Sequence, residues 1–335
     1  MATQQEEKAQ TVRTPSSGFT GRVRRSKEAV NPGDRVFYNV TRLLALGVVV
    51  LALLLVMELF HGAWESIQKF GLGFLVGTTW DPVAEQFGTL PTIIGTLVKS
   101  ALALLIAVPI SIGSAIYLAL YAPKFLRTPL SYLVESLAAI PSVIFGMWGL
   151  FILVVYVVRP LQIWLKAHLG WIPLFSGPAV YGVGVLAAAL MLAVMIAPII
   201  TAISRDMIRS VPRSQMEGML ALGATKWEAV RMVVLPYART GIIGAVILGL
   251  GRAVGETMAV TMVGGNAFKL LTSLFDPVHS MASQIASEFA EAATSLYVSS
   301  LIYVGLVLFG ITIIISILAQ LLIWRLSKGR VAVLD

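Results

Sequence analysis

The sequence contains no cysteine and only three histidines among its 335 residues. Disulfides, thiolate metal sites and cysteine nucleophiles are therefore excluded, and a buried metal centre would lack its usual ligands. Charge is equally scarce: 13% of residues are charged, against roughly 25% in soluble domains. No Gly-x-x-x-x-Gly-Lys-Ser/Thr segment occurs, so the chain has no phosphate cradle with which to hydrolyse ATP itself. What it has instead is apolar residues, 57% of the total, and a mean hydropathy of +0.86. So few charges cannot cover so much apolar surface in water, and the main solvent of this chain is lipid. The formal charge of +8 then informs on orientation rather than on nucleic acid, which is not expected as a partner.

Apolar stretches at Tyr38–Phe60 and at about 93–120, 133–157, 179–203, 238–263 and 297–324 each reach or exceed the ~20 residues needed to cross a bilayer. They predict an all-α membrane protein with six transmembrane helices. An even number puts both termini on one side. Most of the 25 basic residues fall there: the run up to Arg42, Lys124 and Arg127, the group from Arg205 to Arg239, and Arg325, Lys328 and Arg330. The opposite side holds only Lys69, Arg159, Lys166 and Lys269, with Lys99 and Arg252 inside spans. The bias toward one face predicts cytoplasmic termini. Residues 1–36 are polar and basic without apolar periodicity and read as a disordered cytoplasmic tail. The run after it exceeds a signal core of about 7–15 residues and reads as the first span. That span and its outer loop occupy 37–92, the main membrane body 93–326, and a cytoplasmic C-terminus 327–335. The outer loops carry Trp64, Phe70, Phe74, Trp80, Phe87, Trp164 and Trp171. These predict short interfacial helices and an aromatic belt, with ligand contact as the alternative.

The cytoplasmic loop 204–237 has more to say. Ser214 with Glu217, and Thr225 with Glu228, each have the spacing of a capping box. Gly223 lies between them where a helix ends in a left-handed residue, and Pro236 is expected to stop the second helix before the next span. Met219, Leu220, Leu222, Trp227, Val230 and Val233 then point away from the bilayer and call for a protein partner. A DNA-binding helix-turn-helix is excluded because the flanking spans leave too little tether to reach a groove. The positions of Glu217, Gly223, Val233, Leu235 and Pro236 resemble the coupling loop of ABC transporter permeases, where Glu-Ala-Ala, Gly, Ile and Leu-Pro recur at the same spacing. Gly218 and Met219 stand in place of the two alanines, and Val233 in place of Ile. The resemblance implies an ABC importer type I permease fold whose coupling-helix loop, through Glu217, Gly223, Leu235 and Pro236, fits an ATPase subunit.

Within the fifth span, Arg252 and Glu256 interrupt a Gly-rich apolar segment. An ionised side chain at the bilayer centre costs ~3 kcal/mol on insertion scales, so such groups face protein or a wet cavity. A spacing of four places both on one helix face. Two readings stay open: a self-neutralising pair that packs the bundle, or a charged gate in which Arg252 attracts an oxyanion through its fork of donors. Pro109, Pro141 and Pro198 interrupt three spans, as hinges or as static kinks.

The segments Leu137–Gly146, Phe175–Pro178, Gly249–Val260 and Ser287–Ala292 resemble phosphate permeases of the Pst type, the PstC-like branch. That resemblance implies that Arg252 and Glu256 belong to the path of phosphate and that Glu135 is a further acid of the pathway. Glu135 reads equally as a carboxylate at the cytoplasmic headgroups. The implied partners are a second phosphate permease subunit of the PstA type, an ATPase dimer of the PstB type, an extracytoplasmic phosphate-binding protein of the PstS type, and membrane lipid. No cofactor is implied, and the expected location is the bacterial cytoplasmic (inner) membrane. Sulfate or molybdate permeases share the coupling loop and form the nearest alternative. An ion-coupled secondary transporter would not require that loop, and an enzyme acting on lipid would need a clustered catalytic constellation that the sequence lacks.

Overall fold

The computed structural model describes residues 32–178 and 181–328. Among these, six helices are long and apolar enough to cross a membrane: Gly33–Gly62, Leu90–Tyr121, Ser142–Leu169, Val185–Arg209, Lys226–Val254 and Ser295–Arg325. The chain divides into two units, Met1–Leu54 and Leu55–Asp335. In the first, the described residues are all helical, and apolar side chains such as Leu43, Leu46, Leu51 and Leu53 are exposed along the helix, as lipid contact requires. That helix, α1 (Pro32–Gly62), takes in the last five residues of the expected tail, 32–36; residues 1–31 lie outside the described residues.

In the second unit α2 (Trp64–Phe70), α3 (Gly73–Val76) and a short hairpin of β1 (Trp80–Asp81) and β2 (Gln86–Phe87) precede α4 (Leu90–Ile116), which continues as a π-helical turn to Tyr121. The aromatic residues here pack mainly on each other, not as a lipid belt. Phe74 stacks on Tyr303 at 4.3 Å, Phe87 on Tyr297 at 5.4 Å, and Trp80 meets Phe87 edge-on. Phe74 and Phe87 are buried. Offset and edge-on aromatic contacts add to the area they bury. Of the expected belt residues, Trp64, Trp164 and Trp171 remain exposed.

The expected third stretch, 133–157, is broken near its start, and the third span begins only at Ser142 and runs on to Leu169. Helix α5 (Lys124–Ala138) ends before Pro141, and α6 (Ser142–Trp148) begins after it, running through a π-helical stretch into α7 (Arg159–Leu169). Pro141 has no amide hydrogen and disfavours helical backbone before it, which explains the break. Pro109 and Pro198 behave differently, since α4 and α8 (Val185–Arg209) run through them. Beside Pro198 the two helices are tied together: Ser111 Oγ donates to Ala197 O at 3.1 Å and Thr201 Oγ1 to Ser111 O at 3.4 Å.

Helix α8 is the central post. Its Ala187, Ala188, Met191, Leu192, Met195, Ile196 and Ile200 pack with Ala103 and Ala107 of α4. Small residues at these contacts let the backbones approach closely, the main source of helix association in lipid.

After α9 (Arg213–Ala221), the helix α10 (Lys226–Ala229) passes without a stop through a π-helical turn, Val230–Val234, into α11 (Leu235–Val254). Pro236 therefore does not end the second loop helix. It occupies the start of α11, where the wider turn before it relieves the clash that a proline ring makes in an α-helix. The expected fifth span is shortened at its other end, because α11 stops at Val254 and a separate α12 (Met258–Val263) follows. Helix α13 (Met281–Glu288) and α14 (Ser295–Lys328) complete the chain.

Candidate functional site

The break in the fifth span is built by three residues. Gly255 caps α11 through its N–H to Gly251 O, Thr257 precedes the first residue of α12, and Glu256 turns its Oε1 toward the N–H of Ala259 at 3.3 Å. Arg252 and Glu256 consequently do not share one continuous helix face, and they form no ion pair; Arg252 Nε is buried without a hydrogen-bond partner. The self-neutralising arrangement expected from their spacing is absent from the described residues. A helix interrupted at membrane depth is tolerated only where protein or a water-lined cavity satisfies the freed backbone, and this geometry is a recurrent way of building a transport site.

What faces Glu256 is Lys99. Thr96, Lys99 and Ser100 of α4 line one narrow cleft with Glu256 and Ser280, too narrow to hold a water molecule. Lys99 is 1% exposed. Its ammonium donates to the carbonyl of Val278, and it makes no ion pair among the described residues. The buried face of α4, Thr92, Thr96, Lys99, Ser100, Ala103, Ala107 and Ser111, repeats at helical spacing. That polar stripe was the signal in the sequence, though nothing there says what it meets.

It meets a segment that folds back into the bundle, residues 264–280. The first turn of α8 anchors this segment: Gly184 N–H donates to Val263 O, Val185 N–H to Asp276 O at 3.0 Å and Leu186 N–H to Leu274 O at 2.8 Å. Amides left free at a helix start are thereby satisfied. Asp276 organises the turn, accepting from Lys269 Nζ, Thr272 N–H, Thr272 Oγ1 and Ser273 N–H at 2.7–3.0 Å. Burial pushes its carboxyl up, but these donors outweigh burial and hold it at about 2. The far end lies against α4, where Met281 N–H donates to Thr96 Oγ1 at 2.9 Å. The approach is so close that a Cβ on Gly95 would lie 2.3 Å from His279 O; only glycine fits. Farther along, Glu288 accepts from Trp80 Nε1 at 2.6 Å and Tyr297 Oη at 2.8 Å. Burial pushes its carboxyl above the ordinary value despite those donors.

The remaining predicted residues lie toward the other end of α8. Glu135 of α5 accepts from Arg205 at 2.9 Å and is half exposed; it does not join Arg252 and Glu256. In the loop, Thr225 and Glu228 form the expected capping box and Gly223 has φ +85°. Ser214 and Glu217 do not form one, because α9 starts two residues earlier than that cap requires, behind Pro212, and lacks a side-chain cap. Val230 is buried, contrary to the expected outward set, and Val233 is half-buried; Leu220, Leu222 and Trp227 remain exposed. Lys226 fixes the loop against the end of the second span, donating to Leu120 O at 2.9 Å with its ammonium 4.2 Å from the Tyr121 ring centre. Glu217, Leu235 and Pro236 thus sit on one continuous loop-and-span unit.

Residues 107–328 match the family described as binding-protein-dependent transport system inner membrane component. The chain is 47% identical over 300 residues to the phosphate transport system permease protein PstC of Haemophilus influenzae, covering 89% of this chain and 95% of that protein. It is 46% identical over 298 residues to PstC of Mesorhizobium japonicum, covering 88% and 91%. Among solved structures, a chain of a bacterial alginate ABC transporter superposes with a TM-score of 0.60 at 17% identity, covering 88% of this chain and 98% of that one. A chain of the MetNI methionine ABC transporter gives 0.53 at 18%, covering 74% and 99%. At those identities the likeness is one of fold.

Proposed function

This chain belongs to the family of binding-protein-dependent transport system inner membrane components, and we propose that it is the permease subunit of an ATP-driven importer of inorganic phosphate. The single observation that carries the substrate is the 47% identity, over 89% of the chain, to a PstC phosphate permease. The fold is that of the type I ABC importer permeases. The chain itself is a transport subunit rather than an enzyme, and hydrolysis belongs to a separate ATPase.

Phosphate passes between this chain and a second permease of the PstA type, delivered by an extracytoplasmic binding protein of the PstS type. A PstB-type ATPase dimer drives the cycle from the cytoplasmic side of the inner membrane, where both termini lie. The reading of the path rests on the broken fifth span: Arg252, with its buried unpartnered Nε, supplies a fork of donors for an oxyanion. Glu256 and Lys99 close the cleft behind it, and Glu135 lies nearer the inner mouth. The ATPase meets Glu217 and the exposed Leu220, Leu222 and Trp227, while Gly223 sets the turn between the loop helices, and Leu235 and Pro236 join the loop to α11. Docking at the loop shifts the equilibrium between inward- and outward-facing states through differential contacts.

Removing this chain from its host should abolish binding-protein-dependent phosphate uptake, and restoring it should recover uptake. Unchanged uptake in its absence would reject the reading. Lys99→Met is expected to lower phosphate uptake about tenfold, the equivalent of ~1.4 kcal/mol, with the complex intact. Uptake at the wild-type rate would assign Lys99 to packing alone.

A further inference from the structure

The cytoplasmic end of the bundle holds a second polar cavity, apart from the broken fifth span and sharing with the proposed path only Glu135 at its inner mouth. Arg127, Thr128, Ser131 and Glu135 of α5 face Arg205 and Arg209 of α8 across a space of about 310 Å3. A water molecule occupies roughly 30 Å3 of liquid, so the cavity has room for a small tetrahedral ion with part of its hydration. Its walls are fixed. Arg205 is 5% exposed and is held by Glu135 at 2.9 Å and Asp206 at 2.8 Å. Arg127 and Arg209 each donate one NH2 to a main-chain carbonyl, of Ala122 and Leu118, at 3.3 Å.

These bonds leave donors over. Arg205 NH1, Arg127 Nε and Ser131 Oγ are all buried without a partner. Buried polar groups are nearly always paired, and leaving donors unmade is unfavourable. Three guanidiniums against the carboxylates of Glu135 and Asp206 also leave the site net positive. Guanidinium forks with hydroxyls beside them match the oxygens of a phosphate group.

We infer that this cavity binds a phosphate group, either free inorganic phosphate on the cytoplasmic side or the headgroup of an anionic lipid. Its position at Arg209, where the fourth span ends, is the depth at which both are available. The site is separate from Arg252 and Glu256, and its occupancy does not depend on which anion the chain transports.

Hydrogen–deuterium exchange on the complete transporter in dodecyl maltoside, a detergent without phosphate, tests this. One arm titrates inorganic phosphate; the other dopes the micelles with phosphatidylglycerol. The expected result is saturable slowing of exchange in residues 124–138 and 205–211 in at least one arm, the responsive arm naming the source. The double variant R127Q/R209Q should weaken the effect at least tenfold, and Ser131→Ala, which keeps every charge and so guards against a misfolded double variant, should weaken it less. No slowing in either arm overturns the site, as does slowing that survives undiminished in both variants. Exchange is read without turnover, so this outcome is independent of any failure to transport phosphate.

Discussion

Arg252→Gln is expected to reduce ATP-driven phosphate uptake by at least roughly 30-fold while the complex still assembles. Truncating one partner of a desolvated, hydrogen-bonded charge pair costs roughly 2–5 kcal/mol, and 2 kcal/mol is about 30-fold. Here the partner would be the anion, because Arg252 has no ion pair within the described chain to lose. Substitution removes no internal salt bridge, so stability and assembly should survive. Arg252→Lys keeps the charge without the planar fork and should fall between the two. Assembly is checked by co-purification, and transport by uptake of radiolabelled phosphate. Wild-type uptake in Arg252→Gln would remove Arg252 from the path.

Glu217→Lys should abolish coupling, with uptake lost and the ATPase no longer co-purifying. Glu217 lies on the exposed α9 and has no ion pair among the described residues, so reversing its charge leaves the chain's own contacts intact. The loop is held by other groups: the Thr225–Glu228 box and Lys226 on Leu120. What changes is the complementarity of the docking face, where a wrongly signed charge costs several kcal/mol. On the proposed reading the apolar Leu222 and Trp227, 84% and 55% exposed, would serve as the hydrophobic anchors of the same face. An intact ATPase complex with normal uptake in this variant would place the coupling contact elsewhere.

Much of this arrangement was legible in the sequence, for reasons that differ by element. The six spans follow from apolar runs, which depend on solvent rather than on tertiary detail. Gly223 and the Thr225–Glu228 box were readable because turns and caps are local. The Ser214–Glu217 box failed although its spacing was right, because Pro212 started α9 two residues early. Pro236 misled because a π-helical turn, which leaves no sequence signature, absorbed it. The expected span 238–263 stayed apolar across a break that Gly255 and Glu256 make, and hydropathy does not register a break that protein surrounds. Lys99 was visible as a charge inside a span, but its place opposite Glu256 depends on a contact between α4 and the end of α11 that no local pattern encodes. The same holds for Arg205 and Glu135, 70 residues apart in sequence.

The most direct test of the central claim is ATP-dependent phosphate uptake into proteoliposomes containing this chain with its second permease, ATPase and binding protein, with excess sulfate and molybdate as competitors. Expected is uptake that requires ATP, persists in the presence of both competitors and is lost in Arg252→Gln. Uptake blocked by sulfate or molybdate, or ATP-driven transport of those anions in place of phosphate, would contradict it.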